Sequence, residues 1–143
     1  DEVYFAGMPT TADGRALRRH GDQMKRLPGG YYRAMGRVDD TMNLGGIKVS
    51  SAEIERSLSR LEEIVECAAV ATSPPDGGPS QLVVFAVLDG SPALDGLRLA
   101  IKKTIAAELN PLFKLHDLVP LDKLPRTASG KVMRRILRRD YEA

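Results

Sequence analysis

The sequence predicts an α+β fold: a small domain with a β-hairpin and a short mixed sheet packed by about three helices, preceded by further β-strands. A Gly45-Gly46 pair separates two short strand-like runs, which is a hairpin signal. A near-continuous apolar run at residues 81–88 is typical of a strand buried on both faces. Apolar residues also recur at helical spacing in three segments: 51–61, 94–109 and 132–141.

The composition indicates a globular chain with its own core. Of the 143 residues, 43% are hydrophobic and 28% are charged, which argues against disorder. No apolar run approaches the ~18 residues that span a bilayer, so we expect no membrane span and a cytoplasmic location. A net charge of +2 is too small to indicate nucleic-acid binding. The single cysteine, Cys67, excludes an internal disulfide and reads as a buried small residue rather than a catalytic thiol.

The first 36 residues favour short strands and turns. Extended segments are predicted at 3–6, 15–20 and 31–35, with a turn at residues 28–30. These segments contain few large aliphatic residues, so they need a larger sheet to join. Because position 1 is Asp and the opening resembles the middle of a strand, we expect the chain to be a piece of a longer protein.

From residue 40 onward the predicted order is hairpin, helix, strand, strand, helix, strand, helix. Ser50 and Glu53 form a capping-box pattern at the start of the first helix, and Asn110-Pro111 ends the second. The predicted segments are strands at 41–44 and 47–49, a helix at 51–61, a connector running into a strand over 64–72, a strand at 81–88, a helix at 94–109, a strand at 115–119, a loop at 124–130 and a helix at 132–141.

Two features near the C-terminus bear on chemistry. Lys131 follows Gly130 at a loop-to-helix junction, where its charge could meet a phosphate or carboxylate. On local grounds alone, a solvated lysine on a flexible loop is the simpler interpretation. Seven basic residues and no acidic one lie between positions 123 and 139. Since no aromatic residue is interleaved and four of them oppose an apolar stripe, a solvated helix face is favoured over a nucleic-acid patch.

The segment around residue 40 offers a second candidate. Asp39 and Asp40 could coordinate magnesium or act as an acid–base pair, although a polar turn is the simpler local interpretation. The Gly45-Gly46 pair could allow a thin ligand to pass close to the backbone, or could serve the turn alone. His20 lies beside Asp22, but no nucleophile stands in a recognisable elbow, so no catalytic triad is predicted.

Three motifs together resemble the adenylate-forming enzymes. Residues 36–55, GRVDDTMNLGGIKVSSAEIE, resemble the hinge and glycine-loop motif of that superfamily. Residues 125–135, PRTASGKVMRR, resemble its C-terminal lysine motif, and residues 20–22 resemble a short motif usually written Thr-Gly-Asp. His20 departs from that pattern and is assigned no role. The resemblance covers the whole chain and is strongest to the C-terminal domain of acyl- and acetyl-CoA synthetases.

The resemblance implies an ATP-dependent ligase that joins a carboxylic acid to the thiol of coenzyme A through an acyl-AMP. It implies that residues 1–38 are the tail of the large AMP-binding domain and that residues 39–143 are the swivelling C-terminal domain. The cofactors implied are ATP with magnesium, held mainly through the nucleotide, and coenzyme A; no metal site is expected on this chain. The missing N-terminal domain is the implied partner, and the chain alone is expected to be inactive.

The resemblance also implies roles for residues that serve adenylation. Asp22 is expected to hold the ribose hydroxyls, and Arg37 to approach the phosphates. Asp39 is the expected hinge. Lys131 is the expected catalytic residue, reaching the acyl carboxylate and the α-phosphate. A protein acetyltransferase acting on Lys131 is a further expected partner, because acetylation removes the charge.

Other residues are implied in the thioester-forming step. Gly45 and Gly46 are expected to line the pantetheine passage, and Lys48 to meet the phosphates of coenzyme A. Two alternatives stay open: the lid of an adenylating enzyme that transfers the acyl group to a carrier protein or another acceptor, and a non-catalytic basic binding module.

Overall fold

The computed structural model describes residues 5–18, 21–37, 40–74 and 77–143. The expected hinge Asp39, His20 and the expected domain boundary at 38/39 lie outside the described residues. The side chain of Arg37 is likewise outside the description, although its backbone ends a strand.

The N-terminal part contains one antiparallel pair of strands. Strands β1 (Asp22–Arg26) and β2 (Tyr32–Arg37) are joined by a 3₁₀ turn at Pro28–Gly30. The turn and β2 confirm the predictions for 28–30 and 31–35, while β1 was not predicted. The strand predicted at 15–20 is wrong over its described part, where Ala16 makes only an isolated bridge to Thr10. Too little apolar surface is available there to bury, which agrees with the exposure of Leu17.

A tight hairpin leads into the first helix. Strands β3 (Thr41–Leu44) and β4 (Ile47–Ser50) are antiparallel, and Gly45 and Gly46 form the two-residue turn between them. Helix α1 (Ser51–Leu58) begins where the sequence predicts. Ser50 Oγ accepts the Glu53 N–H at 3.2 Å, and a Glu53 carboxylate oxygen accepts the Ser50 N–H at 3.0 Å. The predicted capping box is therefore confirmed.

A three-stranded mixed sheet forms the centre of the molecule. Its strands are β5 (Ile64–Thr72), β6 (Gln81–Leu88) and β7 (Leu115–Pro120), in the order β5-β6-β7. The β5–β6 pair is antiparallel and the β6–β7 pair is parallel. Helix α2 (Leu94–Glu108) supplies the crossover that the parallel pair requires. The α+β fold with a short mixed sheet is confirmed.

Helices cover both faces of this sheet. On one face, Leu82 and Val84 of β6 pack with side chains from α1 and α2, including Ile54 and Ile101. On the other face lies helix α3 (Arg134–Glu142), in which Leu137 is the buried residue. Leu137 packs there with two residues of β6, Val83 and Phe85. Alternate residues of β6 thus enter opposite cores, as the continuous apolar run predicts.

Candidate functional site

The glycine turn of the β3–β4 hairpin depends on backbone geometry that only glycine adopts easily. Gly45 and Gly46 have φ angles of +61° and +85°, as both central residues of a type I′ turn require. A methyl group on Gly45 would lie 3.9 Å from the Leu112 carbonyl oxygen, whereas one on Gly46 would meet nothing within 4 Å. The tip is therefore open, and Gly45 lines a cavity of about 620 Å³ together with Lys114 and His116.

Lys131 lies on a closed, hydrogen-bonded turn at the end of the predicted loop over 124–130. Arg126 and Val132 form an antiparallel bridge across its base. Within the turn, the Thr127 N–H donates to the Lys131 carbonyl at 2.8 Å, and the Lys131 N–H donates to Thr127 Oγ1 at 3.1 Å. Gly130 has a φ of +82°. The backbone of Lys131 is held on both sides while its side chain remains exposed.

Arg126 braces this turn against the central sheet. Its Nη1 donates to the Gly130 carbonyl at 2.7 Å, across the turn. Its Nη2 forms an ion pair with Glu66 of β5. The sequence analysis missed this contact, because the two residues are 60 positions apart and neither belongs to a recognisable pattern with the other.

Arg134, three residues after Lys131, holds two carboxylates at once. Its Nε and Nη2 donate to Glu55 Oε1 at 3.1 and 2.8 Å, and Nη1 donates to Asp40 Oδ2 at 3.0 Å. Arg138, one turn further on, donates from Nε to the Ala71 carbonyl at 2.8 Å. The prediction of a solvated basic face on the last helix is therefore wrong for these two arginines. Arg135 and Arg139 are exposed, as predicted.

A cavity of about 600 Å³ lies beside the lysine turn. Its lining includes Lys131, Arg135, the Arg126 and Arg134 guanidiniums and one carboxylate, Asp40. Since Arg126 and Arg134 are engaged by carboxylates, the exposed Lys131 and Arg135 supply its outward positive charge. Such a surface suits an anion rather than a cation.

The other predicted site residues lie on the two hairpins. Asp22 and Arg37 are directly opposite each other across the β1–β2 pair, so the fold brings together two residues that lie 15 positions apart in sequence. Lys48 lies on β4 opposite Asn43, and both are exposed. The glycine turn and the lysine turn line different cavities.

Cys67 has the environment of a packed side chain. It lies on β5 against the core shared by α1 and α2. Burial, reinforced by the negative charge of Glu55, raises the pKa of the thiol to about 12. This supports the interpretation of Cys67 as a small packed residue, since the reactive form of cysteine is the thiolate.

The described residues contain neither a metal-binding cluster nor a membrane-spanning helix. No group of three or more His, Cys, Asp or Glu side chains that could hold a metal ion occurs among them. Within the same ranges, no helix is long and apolar enough to cross a bilayer.

The fold is shared with coenzyme A ligases of known structure. A benzoate CoA ligase from Burkholderia xenovorans LB400 matches with a TM-score of 0.72 and 34% identity, over 87% of this chain and 24% of the ligase chain. The protein named "Probable acyl-activating enzyme 18, peroxisomal" from Arabidopsis thaliana is 54% identical over 96% of this chain and 19% of its own length. The hexanoyl-CoA synthase of Cannabis sativa is 50% identical over 98% of this chain and 20% of its own length.

The family model for the AMP-binding enzyme C-terminal domain matches residues 53–131, more than half of the chain. The chain belongs to this family. It spans about a fifth of the length of the curated relatives named above. The resemblance seen in the three sequence motifs is therefore confirmed at the level of the family.

Proposed function

We propose that the chain is the C-terminal part of an ATP-dependent carboxylic acid–CoA ligase, which forms an acyl-AMP and then an acyl-CoA thioester. One observation supports this most: the residues beside the glycine turn and those beside the lysine turn pack into the two cores on opposite faces of the central sheet, and the two turns line separate cavities. A domain that rotates can then present a different turn to the substrates in each half-reaction.

Lys131 serves the first half-reaction. A carboxylate oxygen of the acid bonds to the α-phosphorus of ATP while pyrophosphate leaves. The exposed ammonium of Lys131, on its braced turn, offsets the negative charge of the two anions brought together. Asp22 and Arg37, which share one end of the β1–β2 pair, hold the ribose hydroxyls and approach the phosphates. Magnesium binds mainly through the nucleotide.

The glycine turn serves the second half-reaction. The thiol sulfur of coenzyme A bonds to the acyl carbon, AMP leaves, and the thiol proton passes to solvent. Gly45 and Gly46 leave room for the thin pantetheine arm, since their open tip carries no side chain. Lys48 on β4, together with Lys114 beside Gly45, offers positive charge for the phosphates of coenzyme A.

The proposal divides the chain into two parts. Residues 1–38 are the tail of the large AMP-binding domain, and residues 39–143 are the swivelling domain, with Asp39 as the hinge. The separate two-stranded sheet formed by β1 and β2 supports this division, because no strand ladder connects it to β3–β4 or to the central sheet among the described residues. The partner of the chain is then the remainder of the same enzyme.

The test uses the full-length enzyme and two half-reaction assays. Lys131→Ala should lower acid-dependent ATP–pyrophosphate exchange by about 10²-fold or more, the effect of removing one preorganised electrostatic donor. The same variant, given synthetic acyl-AMP and coenzyme A, should form thioester at close to the parent rate. Lys102→Ala, an exposed lysine on α2, is the matched control and should leave both rates unchanged.

Three results would count against this proposal. A parent enzyme that exchanges no pyrophosphate with any carboxylic acid would refute adenylation. Transfer of the acyl group to a carrier protein in preference to coenzyme A would favour the alternative acceptor. Equal loss of both half-reactions in Lys131→Ala would show that Lys131 supports the fold or coenzyme A docking instead.

Acetylation of Lys131 provides a second way to remove the same charge. The exposed side chain is accessible to a protein acetyltransferase, and the acetylated enzyme should behave as the Lys131→Ala variant does. The cytoplasmic location stays a prediction, since the Arabidopsis relative is named as a peroxisomal enzyme.

A further inference from the structure

Arg134, Glu55 and Asp40 form a cluster, called here the Arg134 cluster. It connects the lysine turn to the chain beside the proposed hinge, and the proposed mechanism requires these two parts to keep a fixed relative position. The side chains of Arg134, Asp40 and Glu55 are 20%, 29% and 19% exposed, respectively. Three nitrogens of the guanidinium donate to the two carboxylates. The planar, multidentate geometry of arginine suits this arrangement, and a lysine ammonium could not reproduce it.

Each carboxylate of the cluster is attached to a further element. Glu55 belongs to α1, and its Oε1 also accepts the Ala69 N–H of β5 at 2.9 Å. The backbone of Asp40 is held as well, because its carbonyl accepts a hydrogen bond from Ser51 Oγ at 3.1 Å. The cluster therefore connects α3, α1 and β5 with the residue that directly follows Asp39.

The lysine turn is thus braced from both ends. Before the turn, Arg126 pairs with Glu66 of β5. After the turn, Arg134 pairs with Glu55 and with Asp40. The Asp40 contact adds little to the packing of the helices, since Glu55 and Leu137 already attach α3 to the rest of the domain. The contact between Arg134 and Asp40 instead attaches the lysine turn to the chain beside the proposed hinge.

We propose that Arg134 is a positioning residue for adenylation: through Asp40, it keeps the Lys131 turn at a fixed place relative to the hinge, so that rotation about Asp39 delivers the Lys131 ammonium to the reacting phosphate. This inference rests on the proposed function. A displacement of about 1 Å at a reacting group can cost about 10²-fold in rate. The glycine turn is connected to Asp40 through β3, so its position does not depend on the contact between Arg134 and Asp40.

The experiment uses the full-length enzyme with Asp40→Asn, which keeps the size of the side chain and removes its charge. Adenylation should fall by about 10-fold in kcat, with the KM values for ATP and the acid unchanged, because positioning and not ground-state binding is lost. Thioester formation from supplied acyl-AMP should stay at the parent rate. Arg134→Lys keeps the positive charge but loses the planar, multidentate guanidinium, and it should reduce adenylation by at least as much. Arg139→Ala, an exposed arginine of the same helix, should leave both rates unchanged.

A double-mutant cycle separates positioning from simple loss of structure. If Arg134 and Asp40 act through Lys131, then Asp40→Asn should have no further effect on adenylation in a Lys131→Ala background. An effect of equal size in both backgrounds would overturn the inference, as would adenylation at the parent rate in Asp40→Asn. Different results would refute the proposed function itself. These are a Lys131→Ala variant that keeps full adenylation activity, or a parent enzyme that forms no acyl-AMP.

Discussion

A leucine at position 46 should block one half-reaction and spare the other. Gly46 has a φ of +85°, and a Cβ there would meet nothing within 4 Å, so the structural cost is confined to the backbone. A left-handed conformation costs a non-glycine residue about 1–2 kcal/mol. Since domains of this kind are stable by about 5–15 kcal/mol, the Gly46→Leu enzyme should remain folded.

The functional effect should be much larger than this structural cost. If the pantetheine arm passes over the open tip of the turn, the leucine side chain fills the passage. Thioester formation from acyl-AMP and coenzyme A should then fall by at least about 10²-fold, as expected when the thiol cannot reach its attack geometry. ATP–pyrophosphate exchange should stay close to the parent value, because the glycine turn is not used in adenylation.

Gly90→Leu is the matched control for this prediction. Gly90 has a φ of +65° and also has nothing within 4 Å of a Cβ, but it lies in the turn that follows β6. The Gly90→Leu variant should lose about as much free energy of unfolding as Gly46→Leu does, and it should keep the parent rates of both half-reactions. The reasoning would be refuted if Gly46→Leu lowered the two half-reactions equally, or if Gly90→Leu lost thioester formation to the same extent.

Two predictions concern stability. Leu137→Ala should lower the free energy of unfolding by about 2–5 kcal/mol in urea titrations, because Leu137 is only 5% exposed on the side of α3 that packs against the sheet; a loss below about 1 kcal/mol would contradict that packing. For Asp117, burial raises the carboxyl pKa, but hydrogen bonds from Arg98 and from the Leu118 N–H outweigh it, so the pKa is lowered on balance. A lowered folded-state pKa gives stability that is present above about pH 4 and is lost as the pH falls through the folded value. The stability difference between the parent and Asp117→Asn should therefore shrink between pH 7 and pH 3, and a difference independent of pH would contradict this assignment.

The sequence by itself determined the elements whose signals are local. Three such elements are the Gly45-Gly46 hairpin, the Ser50 cap and the helix over residues 94–108. Each is formed by contacts between residues a few positions apart, so the order of residues in the sequence is enough to predict it. The buried strand over 81–88 is also predictable from local sequence, since a near-continuous apolar run of this length is typical of a strand buried on both faces. The motif resemblance indicated the family, which the family match over residues 53–131 confirms. The roles of Lys131 and the glycine turn stay predictions.

Only the tertiary structure decided how the basic helix and the lysine turn are held. Helical periodicity identifies the apolar stripe of α3, but it does not reveal whether the opposite side meets water or other charged elements. Arg134 pairs with Glu55 across 79 positions, and Arg138 reaches Ala71 across 67. Such pairs form because folding places α1 and β5 beside α3, and no local pattern of charge encodes that proximity. For the same reason, no local pattern predicted the ion pairs of Arg126 and Arg134 on either side of the lysine turn.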